Sequence, residues 1–154
     1  MNKCLEVLIY NFTKHKIPPK DFFEKNLKNF LKKLKEKEKV EISLIFVNPV
    51  QIKKLNYYWR KKNTPTSVLS FPSQITFYLK KSIKNKKILK TKDLGEIIFC
   101  PAIIEKQSRK EKIDKKEKYR YLLAHSLLHL YGYSHFKKAE FLKMTQKEKI
   151  LLEK

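Results

Sequence analysis

The sequence lacks the features of secreted and membrane-spanning proteins. No apolar run approaches the roughly 20 residues that a helix needs to cross a bilayer. The two cysteines, Cys4 and Cys100, are too few for a disulfide framework. Glu6 interrupts the apolar stretch near the N-terminus, and no small-residue cleavage site follows it, which is atypical of a secretion signal. These absences predict a cytoplasmic protein that does not insert into a membrane.

Acidic residues are few beside the basic ones. The 154 residues include 37 Lys and Arg but 15 Asp and Glu, which gives a net charge of +22. A chain this basic attracts polyanions, and RNA is the abundant polyanion of a cytoplasm, so RNA rather than DNA is the expected partner. However, only three of the basic residues are Arg, and the lysines are spread along the whole chain. General lysine enrichment explains the charge equally well, so charge alone does not establish RNA binding.

The length predicts a single domain spanning residues 1–154. Strand-like stretches alternate with stretches of helical periodicity, and the connections are short. This pattern predicts an α/β (or α+β) domain in which helices pack on one small mixed sheet. The predicted strands are residues 5–12, 40–47, 68–71 and 94–100, with 75–79 as a candidate partner of the third. The predicted helices are one containing Phe23, Leu27, Phe30 (or Leu31) and Leu34, then residues 49–61, 103–114, 116–130 and 138–154, with an exposed basic excursion over 80–92.

Three of the four histidines lie close together near the C-terminus, at His125, His129 and His135. The first two are four residues apart on a predicted helix, so their side chains lie about 5–6 Å apart on one face. His135 can join them only if the helix ends, because six more helical residues would carry it about 9 Å along the axis. Gly132, one of only two glycines, can end the helix by adopting a left-handed conformation. The spacing therefore predicts that the three histidines bind one metal ion at the C-terminal end of a long helix.

The ligand set favours a catalytic zinc ion, with one ion per chain. Three nitrogen ligands with a fourth position left to water form the usual catalytic arrangement, whereas structural zinc sites close with four side chains. Iron, nickel and cobalt also accept imidazole and stay open as alternatives. Cys100 or Cys4 as a fourth ligand would instead make the site structural.

The same spacing is shared with the metzincin proteases, whose motif is His-Glu-x-x-His-x-x-Gly-x-x-His. The glutamate of that motif is the general base, and this chain has Ser126 in its place. A serine hydroxyl cannot replace the carboxylate as a base at neutral pH. The sequence therefore disfavours a metallopeptidase.

A second candidate site residue is Arg60, one of the three arginines. The planar guanidinium matches two phosphate oxygens at once, which a lysine cannot do. A solvated arginine at the end of a helix is the alternative. Arg109 and Arg120 lie in charged helical sequence and are predicted to face solvent.

Three aromatic residues, Tyr57, Tyr58 and Trp59, directly precede Arg60. Aromatic side chains can stack on nucleic-acid bases. At helical spacing, however, they more often belong to the core. The sequence leaves both interpretations open.

Taken together, these segments resemble the bacterial YbeY family of metal-dependent endoribonucleases. The resemblance covers most of the chain, and order and spacing agree at Leu55-Asn56, Arg60, Pro65-Thr66, Val68 to Pro72, Leu94-Gly95-Glu96 and His125 to His135. It implies an α/β fold, one zinc ion held by the three histidines, a basic cleft and single-stranded RNA as substrate. It also implies roles in maturation of the 3′ end of 16S ribosomal RNA, in the small ribosomal subunit, and in ribosome quality control. Arg60 occupies the position of the family's functional arginine and is predicted to be catalytic.

Three serines depart from the family pattern. Ser126 replaces a glycine, Ser134 replaces the aspartate before the third histidine, and Ser67 replaces an aspartate or asparagine. Loss of a carboxylate that orients a ligand is expected to weaken metal affinity or rate. Glu96 is a candidate general base only because it ends a family motif. The alternative function is a non-catalytic, zinc-containing RNA-binding factor of ribosome assembly.

Overall fold

A four-stranded mixed sheet organises the fold. A computed structural model describes residues 5–73 and 91–154 of the chain. The strands are β1 (Leu5–Asn11), β2 (Val40–Phe46), β3 (Val68–Pro72) and β4 (Lys92–Phe99), in the order β1-β2-β4-β3. The first three in this order run parallel, and β3 pairs antiparallel with β4. The predicted small mixed sheet is therefore confirmed.

Five helices are present in the described residues: α1 (Lys20–Lys33), α2 (Pro49–Arg60), α3 (Pro101–Glu111), α4 (Lys115–Leu130) and α5 (Lys138–Leu152). Each corresponds to a predicted helix. The largest difference is in α3, which begins before the predicted residue 103 because Pro101 suits the first position of a helix. It ends early because Lys112 adopts a left-handed conformation with φ 56°, and Asp114 instead caps α4. None of these helices is long and apolar enough to cross a membrane.

Two sequence predictions concern residues outside the described ranges. The candidate strand over 75–79 lies there, as does most of the basic excursion predicted over 80–92. Lys92, the last residue of that excursion, belongs instead to β4.

The two faces of the sheet are covered by different helices. Alternate residues of β2, among them Leu44 and Phe46, are fully buried in the larger hydrophobic cluster with α1, α4 and α5. The smaller cluster on the opposite face contains Ile52 of α2 together with Ile98 of β4. Strand residues that alternate between faces thus serve two cores.

Helix α4 is the central helix of the larger core. Nine of its residues are buried, and it packs against β3, β4, α1, α3 and α5. Truncating one of its buried leucines, for example Leu127, to alanine is the type of change that costs about 2–5 kcal/mol. The C-terminal end of this rigid helix carries His125 and His129.

Gly95 allows β3 and β4 to lie close together. The pairing of β2 with β4 shifts by one residue between Glu41 and Ile42, which marks a β-bulge just before Gly95. Gly95 has φ +118°, and an added Cβ atom would lie 2.1 Å from the carbonyl oxygen of Phe71. A larger residue would therefore push β3 away from β4.

We expect Gly95→Ala to destabilise the protein more than Gly132→Ala, as measured by chemical denaturation. Both glycines have positive φ, but a Cβ atom at Gly132 would meet nothing within 4 Å. Gly132→Ala should cost only the backbone strain of about 1–2 kcal/mol. Gly95→Ala adds a clash with backbone atoms, so its cost should be greater. Equal costs for the two variants would show that β3 can move away without penalty.

Candidate metal centre

The C-terminal end of α4 is closed by hydrogen bonds that favour a glycine after the last turn. The N–H of Gly132 donates to the carbonyl of His129 at 3.0 Å, and the N–H of Tyr133 donates to the carbonyl of Leu128 at 3.0 Å. These two bonds form a Schellman motif, with Gly132 at φ +92°. The predicted role of Gly132 in ending the helix is confirmed, and the chain turns back toward the helix immediately after it.

This turn brings the three predicted histidines together. One nitrogen of each of His125, His129 and His135 lies within 4.8 Å of the others. The rings of His125 and His129 are 4.6 Å apart between centroids, and that of His135 lies 5.0 Å from His129 and 5.8 Å from His125. The geometry is that of a group that can hold one ion.

Two of the imidazoles are oriented through their Nδ1 atoms. Nδ1 of His125 lies 2.5 Å from Oε1 of Glu148, and Nδ1 of His129 lies 3.0 Å from the carbonyl oxygen of Tyr133. Because an ionised carboxylate and a carbonyl can only accept, each Nδ1 carries the proton and donates it. Each Nε2 atom is then left with a free lone pair.

The two Nε2 atoms face each other at a distance of 3.0 Å. With both protons on Nδ1, neither Nε2 can donate to the other, and a cation placed beside both would satisfy the two lone pairs at once. A tetrahedral zinc ion about 2.0–2.1 Å from each nitrogen would hold the two about 3.3 Å apart. The donor set of His125, His129 and His135 therefore fits a zinc ion with little rearrangement.

The environment of His129 favours the neutral imidazole that a metal requires. Burial lowers the pKa of His129 to about 4, and the neighbouring His125 contributes the next largest part of this lowering. The guanidinium of Arg60 acts in the same direction. His129 is thus deprotonated at neutral pH, ready to act as a ligand.

Glu148 is a site residue that the sequence analysis missed. It lies on α5, far along the chain from His125, and only the packing of α5 against α4 brings the two together. A carboxylate that accepts from the outer nitrogen of a histidine ligand is typical of metal sites. In the sequence, Glu148 is one acidic residue among lysines, which does not distinguish it from Glu140.

The end of α4 is also held from the side of α1. The hydroxyl of Tyr131 donates to Glu36, which forms an ion pair with Lys92 at 3.1 Å. Burial, followed by Glu36, raises the pKa of Tyr131 far above its usual value, so the phenol stays protonated and remains a donor. This contact fixes the residue that precedes Gly132.

Arg60 and the histidines share one cleft. The cleft has a volume of about 370 Å³ and is lined by Trp59, Arg60, Val68 to Pro72, the three histidines and Phe136. Arg60 is the last residue of α2 and is exposed. The following turn is tied back by Asn56, whose side chain is buried and donates to the carbonyl of Thr64 at 2.9 Å. A cation is thereby positioned beside the candidate metal site.

The three departures from the family pattern have different surroundings. Ser126 is fully buried in α4 and is not among the cleft residues, so it cannot act on a bound substrate. Ser134 accepts the N–H of Phe136 at 3.3 Å and so stabilises the turn that carries His135. Ser67 is buried, and its carbonyl accepts the N–H of Cys100.

Several other candidates are not brought to the site. Cys100 is buried in the smaller core cluster, where burial raises the pKa of its thiol, and it is not part of the histidine group. Cys4 lies outside the described residues. Glu96 is exposed on β4 and does not line the cleft, so its position does not support a role as general base.

The two other arginines differ from each other. Arg109 is exposed and pairs with Glu105 at 2.7 Å, as expected of a solvated face. The prediction that Arg120 faces solvent is wrong. Its guanidinium donates to the side chain of Asn26 at 3.0 Å and to the carbonyl of Leu152 at 3.1 Å, because α1 and α5 pack over this side of α4.

The chain is similar to known proteins of one family. The family model described as Endoribonuclease YbeY matches residues 9–154. The Endoribonuclease YbeY of Phytoplasma australiense is 31% identical over 150 residues, covering 97% of this chain and 95% of the relative. That of Buchnera aphidicola from Acyrthosiphon pisum is 38% identical over 119 residues, covering 77% and 69%.

The fold also matches a solved structure. The solution structure of TM1509 from Thermotoga maritima aligns with a TM-score of 0.53 at 24% identity, covering 95% of this chain and 89% of that one. This similarity supports the fold, while the family match and the curated relatives extend over the histidines and Arg60. The chain belongs to the YbeY endoribonuclease family.

Proposed function

We propose that this protein is a zinc-dependent endoribonuclease of single-stranded RNA, acting in the cytoplasm on the 3′ end of 16S ribosomal RNA and in ribosome quality control. The whole chain, residues 1–154, would act as one domain. The observation that carries the proposal is the convergence of three histidines beside Arg60 in one cleft. Names of the relatives and the net charge of +22 support RNA as the substrate.

The histidines and their partners would form the metal site. His125, His129 and His135 would hold the ion through imidazole nitrogens, with Glu148 and the carbonyl of Tyr133 fixing two of the rings. Bound zinc would lower the pKa of a water molecule and polarise a phosphoryl oxygen. Three protein ligands leave a coordination position for that water, as catalytic sites require.

Arg60 would bind the phosphate at the cleavage site. Its planar fork can donate to two phosphate oxygens and stabilise the charge that develops on them. None of the cleft residues within the described ranges is acidic, so the cleft presents no like charge to the substrate. Lysines elsewhere on the surface would steer RNA toward it in a salt-dependent manner.

Zinc removal should abolish RNA cleavage. We expect the wild-type chain to bind one zinc ion and to cleave single-stranded RNA, and His129→Ala to lose both, because two ligands hold zinc far less tightly than three. His15→Ala is the matched control, since His15 is exposed and contacts Glu105 at 3.6 Å. Bound metal is measured by elemental analysis and cleavage by gel electrophoresis.

The outcome also separates the two candidate functions. RNA binding that survives chelation, with no cleavage by any metal-loaded form, would favour the non-catalytic assembly factor. Cleavage that persists in His129→Ala would reveal a contaminating nuclease.

Arg60→Ala should slow cleavage about 100-fold while zinc content stays unchanged, which is the usual loss for one donor to transition-state charge. Arg60→Lys should recover part of the rate, because it restores the charge but not the planar fork. Arg109→Ala removes an exposed arginine remote from the cleft and should have wild-type kcat. A wild-type rate for Arg60→Ala would exclude the catalytic role.

Glu148→Ala should weaken zinc affinity about 10- to 100-fold, because His125 loses the acceptor that orients it. Glu148→Gln keeps an acceptor oxygen and should bind zinc with intermediate affinity. Glu140→Gln, about two turns earlier on α5, is the matched control. Affinity is measured by competition with a chromophoric chelator, together with the free energy of unfolding. If the Glu148 variants lose stability but keep zinc affinity, Glu148 is only a packing residue.

A further inference from the structure

Helix α2 exposes an aromatic residue that its own periodicity predicts to be buried. Ile52, Asn56 and Trp59 follow the i, i+4, i+7 spacing of one helix face, and the first two are buried. Trp59 nevertheless remains 57% exposed. An indole has a large apolar area, so its exposure on this face leaves that area free to contact a ligand.

The exposed indole lies in the cleft and is held there. The ring of Trp59 lies 5.8 Å from the ring of Phe71 in the cleft wall. The ring of Tyr58 packs edge-on against the indole of Trp59, with the two centroids 5.0 Å apart. These contacts fix the ring without covering it. Trp59 directly precedes Arg60, so an aromatic surface and a phosphate-binding group stand side by side.

A second exposed aromatic ring lines the same cleft. Phe136 directly follows His135 and is 86% exposed, and the two rings lie 5.5 Å apart. The cleft thus contains two accessible aromatic rings, one beside Arg60 and one beside a candidate metal ligand. Aromatic side chains that line a concave cleft are typical of ligand-binding sites.

The charge of the cleft decides which partner fits. Arg60 is present and no acidic residue lines the described cleft, so an anionic ligand is favoured. A second copy of the chain is disfavoured, because each copy carries a net charge of +22. An unpaired nucleotide offers both a phosphate and a ring that can stack, whereas bases in a duplex are already stacked on one another.

We propose that Trp59 and Phe136 are stacking sites for unpaired nucleobases next to the phosphate bound by Arg60. This inference rests on the proposed RNA substrate and specifies how single strands are selected over duplexes. The two rings supply affinity that duplex RNA cannot use, while the lysines of the surface attract both forms alike.

Trp59 is the only tryptophan in the chain, so its fluorescence reports stacking directly. The full chain is titrated with an unstructured oligoribonucleotide, a duplex of the same length, and an abasic oligomer that keeps the phosphates. Only the first is expected to quench Trp59 emission, and it should bind about tenfold more tightly than the abasic oligomer. Cleavage of the same oligonucleotide is followed in parallel samples.

Variants test each ring separately. Trp59→Ala and Phe136→Ala should each bind the single strand about tenfold more weakly and the duplex unchanged. Trp59→Phe should retain most of the affinity because it keeps an aromatic face. Tyr57→Ala is the matched control, since Tyr57 is 56% exposed on the same helix but does not line the cleft. Affinity for these variants is measured with a labelled oligonucleotide.

Three results would overturn the inference: equal affinity for the abasic and base-containing oligomers, no loss in either alanine variant, or a self-associating chain that becomes monomeric in Trp59→Ala. The titration does not depend on catalysis. Quenching without cleavage would contradict the proposed nuclease but support the stacking sites, and cleavage without quenching would do the reverse.

Discussion

The point where α4 ends determines the site. This helix is the central one of the larger core, so its axis and the positions of His125 and His129 are set by packing that involves many buried side chains. The Schellman motif at Gly132 then reverses the chain within a few residues and brings His135 back to the other two. Without that reversal the third histidine would continue along the helix axis, and no three-nitrogen site would exist.

The hydrogen bonds behind the histidines are as informative as the histidines themselves. Glu148 and the carbonyl of Tyr133 accept from the Nδ1 atoms, which leaves two Nε2 lone pairs facing each other. Two acceptors that face each other are unfavourable unless a cation or a donor lies beside them, and a metal ion meets this need for both.

The cleft wall that faces the histidines is formed by the sheet and by the end of α2. Strand β3 lines the cleft, and its position is set by its close approach to Gly95, which tolerates no side chain. Asn56 ties the turn after α2 to the backbone near β3, so Arg60 and Trp59 are fixed relative to the same wall. Gly95 and Asn56, which do not line the cleft, thus position residues that do.

Local spacing was sufficient to predict the elements, the histidine group and the stop at Gly132, because helix period and glycine conformation act over a few residues. It could not identify Glu148, the partial burial of Arg120 or the exposure of Trp59. Each of these depends on which helix covers which face, and a residue such as Trp59 has the spacing of a core position. The sequence by itself determined which chemical groups are available and the turn that gathers three of them. Only the tertiary structure decided which groups orient the histidines and which aromatic rings stay open to a ligand, because contacts between distant segments set both.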